Sequence, residues 1–162
     1  GVADGTIYLY FKNKEDILIS LFEEKMGEFV EKIEDEIAGV KSASEKLSLL
    51  INKHFDILSS DPHLAIVTQL ELRQSNKELR LKINDVLKGY LALVDSVLRE
   101  GMENGEFKSD LNYKLARQMI FGTLDEIVTT WVMNEQKYQL QSLSDDIHNL
   151  IIAGLAQAEK KS

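Results

Sequence analysis

The sequence contains no cysteine and only one proline, and both absences limit what the chain can be. Without cysteine there is no disulfide framework, no thiolate metal site and no thiol nucleophile, which fits a reducing compartment. No apolar run approaches the roughly 18 residues that span a bilayer, and no signal-peptide pattern opens the chain. We therefore expect a cytoplasmic protein with no membrane partner.

Positive charge is also in short supply, since 19 Lys and Arg face 27 Asp and Glu and leave a net charge of -8. Non-specific DNA affinity comes mainly from cations that neutralise phosphates, so the composition argues against a protein that coats nucleic acid. Any contact with DNA must be local or lie in residues outside this sequence. The hydrophobic content of 44% over 162 residues is enough for one sizeable core.

Motifs for catalysis are missing as well. The sequence has no nucleophile elbow, phosphate-binding loop or dinucleotide fingerprint. A carboxylate metal bundle needs two facing Glu-x-x-His units, and the nearest approach is Asp145 with His148. His54 and His63 are isolated in the sequence. For each, a histidine that is hydrogen-bonded in the core or exposed to solvent is favoured over a metal ligand. We expect neither catalysis, nor a bound metal, nor a cofactor.

Apolar residues recur at spacings of three and four along the chain, which predicts an all-α fold. The predicted helices run from Asn13 as N-cap to about Gly39, from Ser42 with Glu45 as a capping box to about Leu58, from Asp61 and Pro62 to about Arg73, from Asn76 to about Gly101, near 112–134, and near 143–159. Between the fourth and fifth helices, residues 100–112 form a connector.

The first residues differ from the acidic remainder, because they combine hydroxyl groups with a short predicted helix, Ala3–Leu9. Hydroxyl donors beside the unbonded amides of a helix start suit phosphate oxygens, as does a lysine at the positive end of the next helix. Gly5 would allow a groove wall to approach the backbone. The alternative is that Tyr8, Tyr10 and Phe11 merely pack the short helix against its neighbour.

The string GTIYLYF followed by KNKEDIL resembles the recognition helix and following helix of TetR-type transcriptional regulators. In a helix-turn-helix the second helix lies in the major groove. The resemblance implies DNA contacts by seven residues. At or near the bases would lie Ala3, Asp4, Gly5 and Thr6. Mainly phosphates would be held by Thr6, Tyr8, Tyr10 and Lys14. It divides the chain into 1–14, the remainder of a DNA-binding domain, and 15–162, a ligand-binding and dimerisation domain. Since the family has two more helices before this point, the sequence as given should bind DNA poorly.

Two later stretches, LELRQSNKELRLKINDVLKGYL and LARQMIFGTLDEIVTTWV, are similar to the fatty-acid-degradation regulators of bacilli, which are TetR-type repressors that long-chain acyl-CoA releases from operator DNA. This resemblance implies a ligand pocket among the middle helices. It also implies a homodimer through the helices near 112–134 and 143–159. In agreement, the helix near 112–134 is apolar on more than one side and must be covered twice.

An acyl-CoA requires an apolar tunnel for its chain and cations for its phosphates. Candidate walls are Phe22, Met26, Phe29, Phe55, Leu58, Leu70, Leu87, Tyr90, Leu91, Val94, Phe121, Leu124 and Trp131, and candidate anion partners are Arg73, Lys77, Arg80 and Arg117. Lys77, Arg80, Asn84 and Lys88 fall on one stripe of their helix. The alternatives are that the apolar residues form ordinary core and that the basic stripe is a solvated face.

Two other functions stay open at this point. A TetR-type regulator could sense another amphipathic ligand, such as a free fatty acid or a cationic drug, and buried acids in the pocket would favour the drug. The chain could instead be a helical interaction module that never binds DNA, with the opening helix used only for packing.

Overall fold

The computed structural model describes the backbone of residues 2–74 and 76–158 and the side chains of residues 13–73 and 76–158. The α-helices are α1 Val2–Ile37, α2 Ala43–Ser60, α3 Pro62–Ile66, α4 Lys77–Glu103, α5 Tyr113–Met133 and α6 Ser144–Leu155. A π-helical turn, Val67–Glu71, and a 3₁₀ turn, Leu72–Gln74, follow α3, and a second 3₁₀ turn, Leu140–Leu143, precedes α6. No strand forms within the described backbone, and the predicted all-α fold is confirmed.

Most helix starts lie where the sequence predicts them, because a short polar side chain caps each one. The Asp61 carboxylate accepts a hydrogen bond from the Leu64 amide at 3.0 Å, and Pro62 opens α3. Asn76 and Asn112 cap α4 and α5 in the same way, at 2.9 Å and 3.2 Å. The third predicted segment ends at Gln74, one residue beyond the predicted Arg73, but it changes from α to π to 3₁₀ geometry along its length.

The helix start predicted at Asn13 is wrong, because α1 is continuous from Val2 to Ile37. Lys14 therefore lies inside a helix rather than at its positive end. Asparagine costs a helix interior less than about 1 kcal/mol, and continuation keeps the backbone amides hydrogen-bonded, so this residue does not interrupt the helix. The domain division at residue 14 coincides with no break in the backbone and stays a prediction.

The buried side chains form two clusters of unequal size. The larger one joins α1 after Phe29, α2, the C-terminal half of α4, and the inner faces of α5 and α6. The smaller one consists of Phe22, Leu72 and Leu79 and links the earlier part of α1 to the start of α4. Met26 packs against both clusters. The two clusters meet at the cavity described below.

Within the described part of the chain, the outer face of α5 and α6 stays exposed. Met119 and Met133 are each 65% exposed, and Leu150 on α6 is 77% exposed. A Cβ atom placed on Gly122 or Gly154 would meet nothing within 4 Å. The inner face of α5 is buried at Ile120, Leu124, Val128 and Trp131. Of the two apolar sides expected for α5, the described residues therefore cover one.

The connector after α4 is more ordered than its sequence suggests. The Glu106 carboxylate accepts hydrogen bonds from the Ser42 hydroxyl at 2.6 Å and from the amides of Ala43 at 2.7 Å and Ser44 at 3.3 Å. Ser42 behaves as the predicted N-cap, since its oxygen accepts from the Glu45 amide at 3.2 Å. The acid that completes the cap of α2, however, comes from the connector. In the described ranges, none of the helices is long and apolar enough to cross a membrane.

Candidate ligand-binding site

A cavity of about 330 Å³ lies between α1, α2, the α3–π–3₁₀ segment, α4 and α5. Its volume falls within the usual range for small-molecule sites. It is lined by Phe22, Lys25, Met26, Phe29, His54, Leu58, Leu64, Thr68, Gln69, Leu72, Arg73, Arg80, Ile83, Asn84, Leu87, Phe121 and Asp125. The lining is therefore mainly apolar, with a limited set of polar groups.

The irregular segment after α3 supplies a polar wall. Gln69 is buried, and its side-chain nitrogen lies 3.0 Å from the Asp125 carboxylate, 3.1 Å from the Asp125 carbonyl and 2.9 Å from the Thr129 hydroxyl. The Arg73 guanidinium forms an ion pair with the same carboxylate. The π turn thus docks on α5 through hydrogen bonds, and Asp125 is paired from two directions. Such turns occur frequently at functional sites.

At another part of the wall, His54 forms a buried polar pair with Tyr90, which lies behind it and does not line the cavity. His54 Nδ1 lies 2.8 Å from the Tyr90 hydroxyl. Phe29 packs edge-on against both rings, with centroid distances of 5.2 Å to His54 and 5.4 Å to Tyr90. Burial lowers the pKa of His54 to about 4 against a smaller opposing effect of Asp125, and burial followed by Asp125 raises the pKa of Tyr90. Both groups are therefore neutral near pH 7.

Cations lie at the edge of the cavity rather than inside it. Arg80 and Asn84 are exposed on one face of α4, and Arg80 has neither an ion pair nor a side-chain hydrogen bond among the described side chains. Lys25, on α1, is near Glu28 at 3.6 Å. Lys88, one turn beyond Asn84, is paired with Asp85 at 2.7 Å and does not line the cavity. The free guanidinium of Arg80 is available to an anion.

The structure brings part of the predicted ligand-binding set together at this cavity. The predicted residues that line it are Phe22, Met26, Phe29, Leu58, Arg73, Arg80, Leu87 and Phe121. They come from α1, α2, the 3₁₀ turn, α4 and α5, so the cavity depends on all of these elements.

The other predicted residues lie elsewhere: Phe55, Leu70, Lys77, Tyr90, Leu91, Val94, Arg117, Leu124 and Trp131. Phe55, Val94 and Leu124 are fully buried in the larger cluster, where neighbouring helices fill the space around them. The Arg117 guanidinium pairs with Asp95 at 2.8 Å, between α5 and α4. The Trp131 indole donates to the Tyr138 carbonyl at 2.8 Å. Helical spacing identified the apolar residues of this set as members of apolar faces, but it could not show which face borders the void.

Several lining residues were not predicted: Lys25, His54, Leu64, Thr68, Gln69, Leu72, Ile83, Asn84 and Asp125. A usable signal existed for His54, a polar residue inside the apolar stripe of α2. Gln69 and Asp125 gave no such signal, because their contact joins elements 56 residues apart. A group of three or more His, Cys, Asp or Glu residues placed to hold a metal is not found in the described part of the chain.

The predicted DNA-binding residues can be located only in part. Lys14 is exposed on α1. The side chains of Ala3, Asp4, Thr6, Tyr8 and Tyr10 lie outside the described residues, and Gly5 has none, although the backbone of all six belongs to α1. Their contacts with DNA stay a prediction.

Comparison with known proteins places the chain among regulators. The family of TetR-type C-terminal regions described as "YsiA-like protein, C-terminal region" matches residues 22–154. The fatty acid metabolism regulator protein of Bacillus subtilis (strain 168) is 64% identical over 155 residues, which are 96% of this chain and 80% of that protein.

Two solved structures are similar in both sequence and shape. The fatty acid degradation regulator FadR from Bacillus halodurans is 61% identical with a TM-score of 0.85, over 94% of this chain and 82% of that one. The transcriptional regulator FadR from Bacillus subtilis, solved in complex with stearoyl-CoA, is 64% identical with a TM-score of 0.85, over 93% of this chain and 81% of that one.

Proposed function

The chain belongs to the YsiA-like family of TetR-type regulators, and from this membership we propose that it represses fatty-acid degradation genes and leaves its operator when long-chain acyl-CoA binds. The observation that carries the proposal is the cavity itself, a mainly apolar void with arginines beside it. Burial of each methylene contributes about 0.8 kcal/mol, so an acyl chain suits this lining. A phosphate suits the guanidinium groups of Arg73 and Arg80.

The charges around the cavity distinguish between ligand classes. Among the described residues that line it, Asp125 is the one acid, and it is already paired with Arg73 and Gln69. A cationic drug would need an acid that is free to pair with it. Arg80 instead offers a cation that has no partner among the described side chains, so an anionic amphipath is favoured over a cationic one.

The position of the cavity supports a mechanism of release. Phe22, Met26 and Phe29 line it from α1, the helix whose N-terminal end carries the proposed DNA-reading segment. The lining also includes Arg80, Ile83 and Leu87 from α4. A ligand between α1 and α4 favours conformations in which these helices are further apart, and α1 then carries the reading segment out of register with the major groove. Such a population shift requires only about 1 to 3 kcal/mol of coupling.

We propose that the uncovered face of α5 and α6 forms the homodimer. Exposed Leu115, Met119, Met133 and Leu150 provide apolar area, and Gly122 and Gly154 let helices approach closely. A charge in the centre of this face should therefore separate the protomers: Met119→Glu should give a monomer by sedimentation at concentrations where the wild type is a dimer. The control is Leu81→Glu on α4, where the leucine is 57% exposed against 65% for Met119 and lies outside this face.

Operator release tests the proposal most directly. In a mobility-shift assay with the full-length regulator, micromolar palmitoyl-CoA should free the operator. Arg80→Ala should weaken the response about tenfold, because it removes a charge-assisted contact with phosphate. Lys88→Ala is the matched control, since that lysine lies on the same helix and is already paired with Asp85. Release of the operator by a different molecule but not by acyl-CoA would refute the proposal that acyl-CoA is the ligand. If the full-length protein binds no DNA at all, a helical interaction module is favoured instead.

Replacing Tyr10 or Lys14 should weaken binding to all DNA sequences alike, since we assign both to phosphates. Loss confined to one operator would contradict that assignment. The proposed role includes no catalysis and no resident cofactor, because the family's named relatives are regulators and acyl-CoA acts as an effector. A regulator of chromosomal genes works in the cytoplasm.

A further inference from the structure

The buried histidine at the cavity has one ring nitrogen engaged and one free. His54 lines the cavity, and its Nδ1 is 2.8 Å from the Tyr90 hydroxyl. Among the described side chains, Nε2 of His54 has no hydrogen-bond partner, and the Tyr90 hydroxyl has none besides Nδ1. Both residues are buried, with exposures of 6% and 0%. The protonation of this pair therefore decides which polar group His54 presents to a ligand.

The tautomer follows from the surroundings of Tyr90. If Nδ1 carried the proton, it would donate to the tyrosine oxygen, and the tyrosine O–H would be buried without an acceptor. An unsatisfied buried donor costs about 1 to 3 kcal/mol. If the tyrosine donates to Nδ1 instead, its hydroxyl is satisfied and the imidazole proton resides on Nε2. His54 lines the cavity and Nε2 is not fully buried, so an N–H there can bond water or a ligand, which the fully buried tyrosine hydroxyl cannot. The favoured state of His54 is thus a neutral ring whose N–H donor has no acceptor among the described residues.

We propose that His54 donates a hydrogen bond from Nε2 to the thioester carbonyl oxygen of bound acyl-CoA, and that this contact makes the site prefer a thioester over a free carboxylate. The inference rests on the proposed function and deepens it. It assigns a specificity-determining residue to a part of the ligand that neither the apolar wall nor the arginines recognise.

The spacing along α4 agrees with this assignment. Arg80, the free cation, and Tyr90, the partner of His54, are ten residues apart on the helix. At the α-helical rise that separation is about 15 Å. The pantetheine arm of coenzyme A has as many backbone bonds as about four extended residues, so it spans about 14 Å. A phosphate at Arg80 and a thioester at His54 are therefore compatible with one extended arm.

The electrostatics explain the preference for a carbonyl. Burial keeps His54 uncharged at neutral pH, and the acid whose charge acts on it is Asp125. A carboxylate moved into such a place loses its hydration and gains no cation, which is costly. A thioester carbonyl is uncharged and needs only one donor. The site therefore accepts the activated acyl group and disfavours the free acid of the same chain length.

Calorimetric binding with matched ligands tests the inference. The probes are palmitoyl-CoA and S-hexadecyl-CoA, a thioether in which a methylene replaces the carbonyl group. Wild-type protein should bind palmitoyl-CoA about tenfold more tightly, the value of one satisfied hydrogen bond to a buried donor. His54→Phe should abolish that difference while it keeps the affinity for S-hexadecyl-CoA. His54→Gln, which retains an N–H donor, should preserve most of the difference.

The outcomes separate the two claims. If wild-type protein binds both CoA compounds and His54→Phe leaves their ratio unchanged, the inference is wrong and the proposed function stands. If neither CoA compound binds to the wild type, both are wrong. His54→Leu provides a second variant in case His54→Phe does not fold. It also lacks an N–H donor, so the ratio should fall to about one, and an unchanged ratio would overturn the assignment.

Discussion

The two ends of the helical domain are built differently. At one end, which we call the tied end, the connector 104–112 joins the start of α2 to the end of α6. Lys108 donates its amide to the Leu155 carbonyl at 2.9 Å, and Gln157 donates to the Glu106 carbonyl at 2.9 Å. At the other end, the cavity end, α1 and α4 enclose a void instead of a packed core.

The difference shows which part of the domain a bound ligand can displace. The last turns of α4 are held at the tied end, where the Phe107 ring packs directly on Gly101 and the Phe107 amide donates to the Gly101 carbonyl at 2.9 Å. The first turns of α4 border the cavity through Arg80, Ile83 and Leu87. A ligand can therefore displace the start of α4 against a fixed end. The domain thus combines a packed, hydrogen-bonded end with an end that contains a void, an arrangement compatible with the proposed switch.

Acid should weaken the cavity end, and this is the largest effect we expect. Burial lowers the pKa of His54 from 6.5 to about 4, so the unfolded chain takes up a proton in this interval while the folded chain does not. The contribution of His54 to stability is then complete above pH 6.5 and is lost as the pH falls towards 4, about 3 kcal/mol in total. Urea unfolding as a function of pH measures it. The His54→Gln variant should show a shallower slope, and an equal slope would contradict the prediction.

At the tied end, Gly101→Ala should cost about 2 kcal/mol. The new Cβ would lie 2.1 Å from a ring carbon of buried Phe107, so the ring or the backbone must shift. Gly89→Ala is the control on the same helix, because its Cβ would meet nothing within 4 Å. That change should stabilise the protein by about 0.5 kcal/mol through helix propensity. Thermal unfolding of both variants is the measurement, and similar melting temperatures would mean that the tied end is not tightly packed.

Glu106→Gln should cost about 1 kcal/mol, since it weakens charge-assisted hydrogen bonds to the start of α2. These bonds outweigh burial and hold the pKa of Glu106 below its usual value. Its contribution is therefore present at neutral pH and is lost as the pH falls through that lowered pKa. Glu45→Gln, at the local capping-box position, should stay within about 0.5 kcal/mol in the same denaturation assay. A larger loss of stability for Glu45→Gln would show that Glu45, and not Glu106, is the acid that caps α2.

Leu87→Trp should have the smallest effect on stability, a change below about 1 kcal/mol, because the larger side chain can enter the cavity. Ligand binding should nevertheless be lost, as measured by calorimetry with palmitoyl-CoA. Leu98→Trp is the counterpart near the tied end of the same helix. Leu98 is fully buried, so overpacking there should cost about 3 kcal/mol. Equal costs at the two positions would show that the cavity end is as tightly packed as the tied end.

Local chemistry was enough to predict the helices and most of their caps. Asp61, Asn76 and Asn112 each bond an amide three residues ahead, so everything that defines these starts lies within one turn. The exception is Asn13, where the same residue type stands inside α1. A cap residue permits a helix start but does not enforce one, because asparagine is only mildly unfavourable within a helix. Only the neighbouring structure decides between the two.

The periodicity of the sequence determined that this protein is all-α and which side of each helix is apolar. The tertiary structure alone decided that Phe121 borders a void while Leu124, three residues later, lies in solid core. It also decided that Glu106 caps a helix 64 residues away and that Gln69 and Arg73 meet on Asp125. The physical reason is the sequence separation over which the interactions act. Helix formation depends on neighbours within about four residues, whereas a cavity is the space left when distant helices have packed.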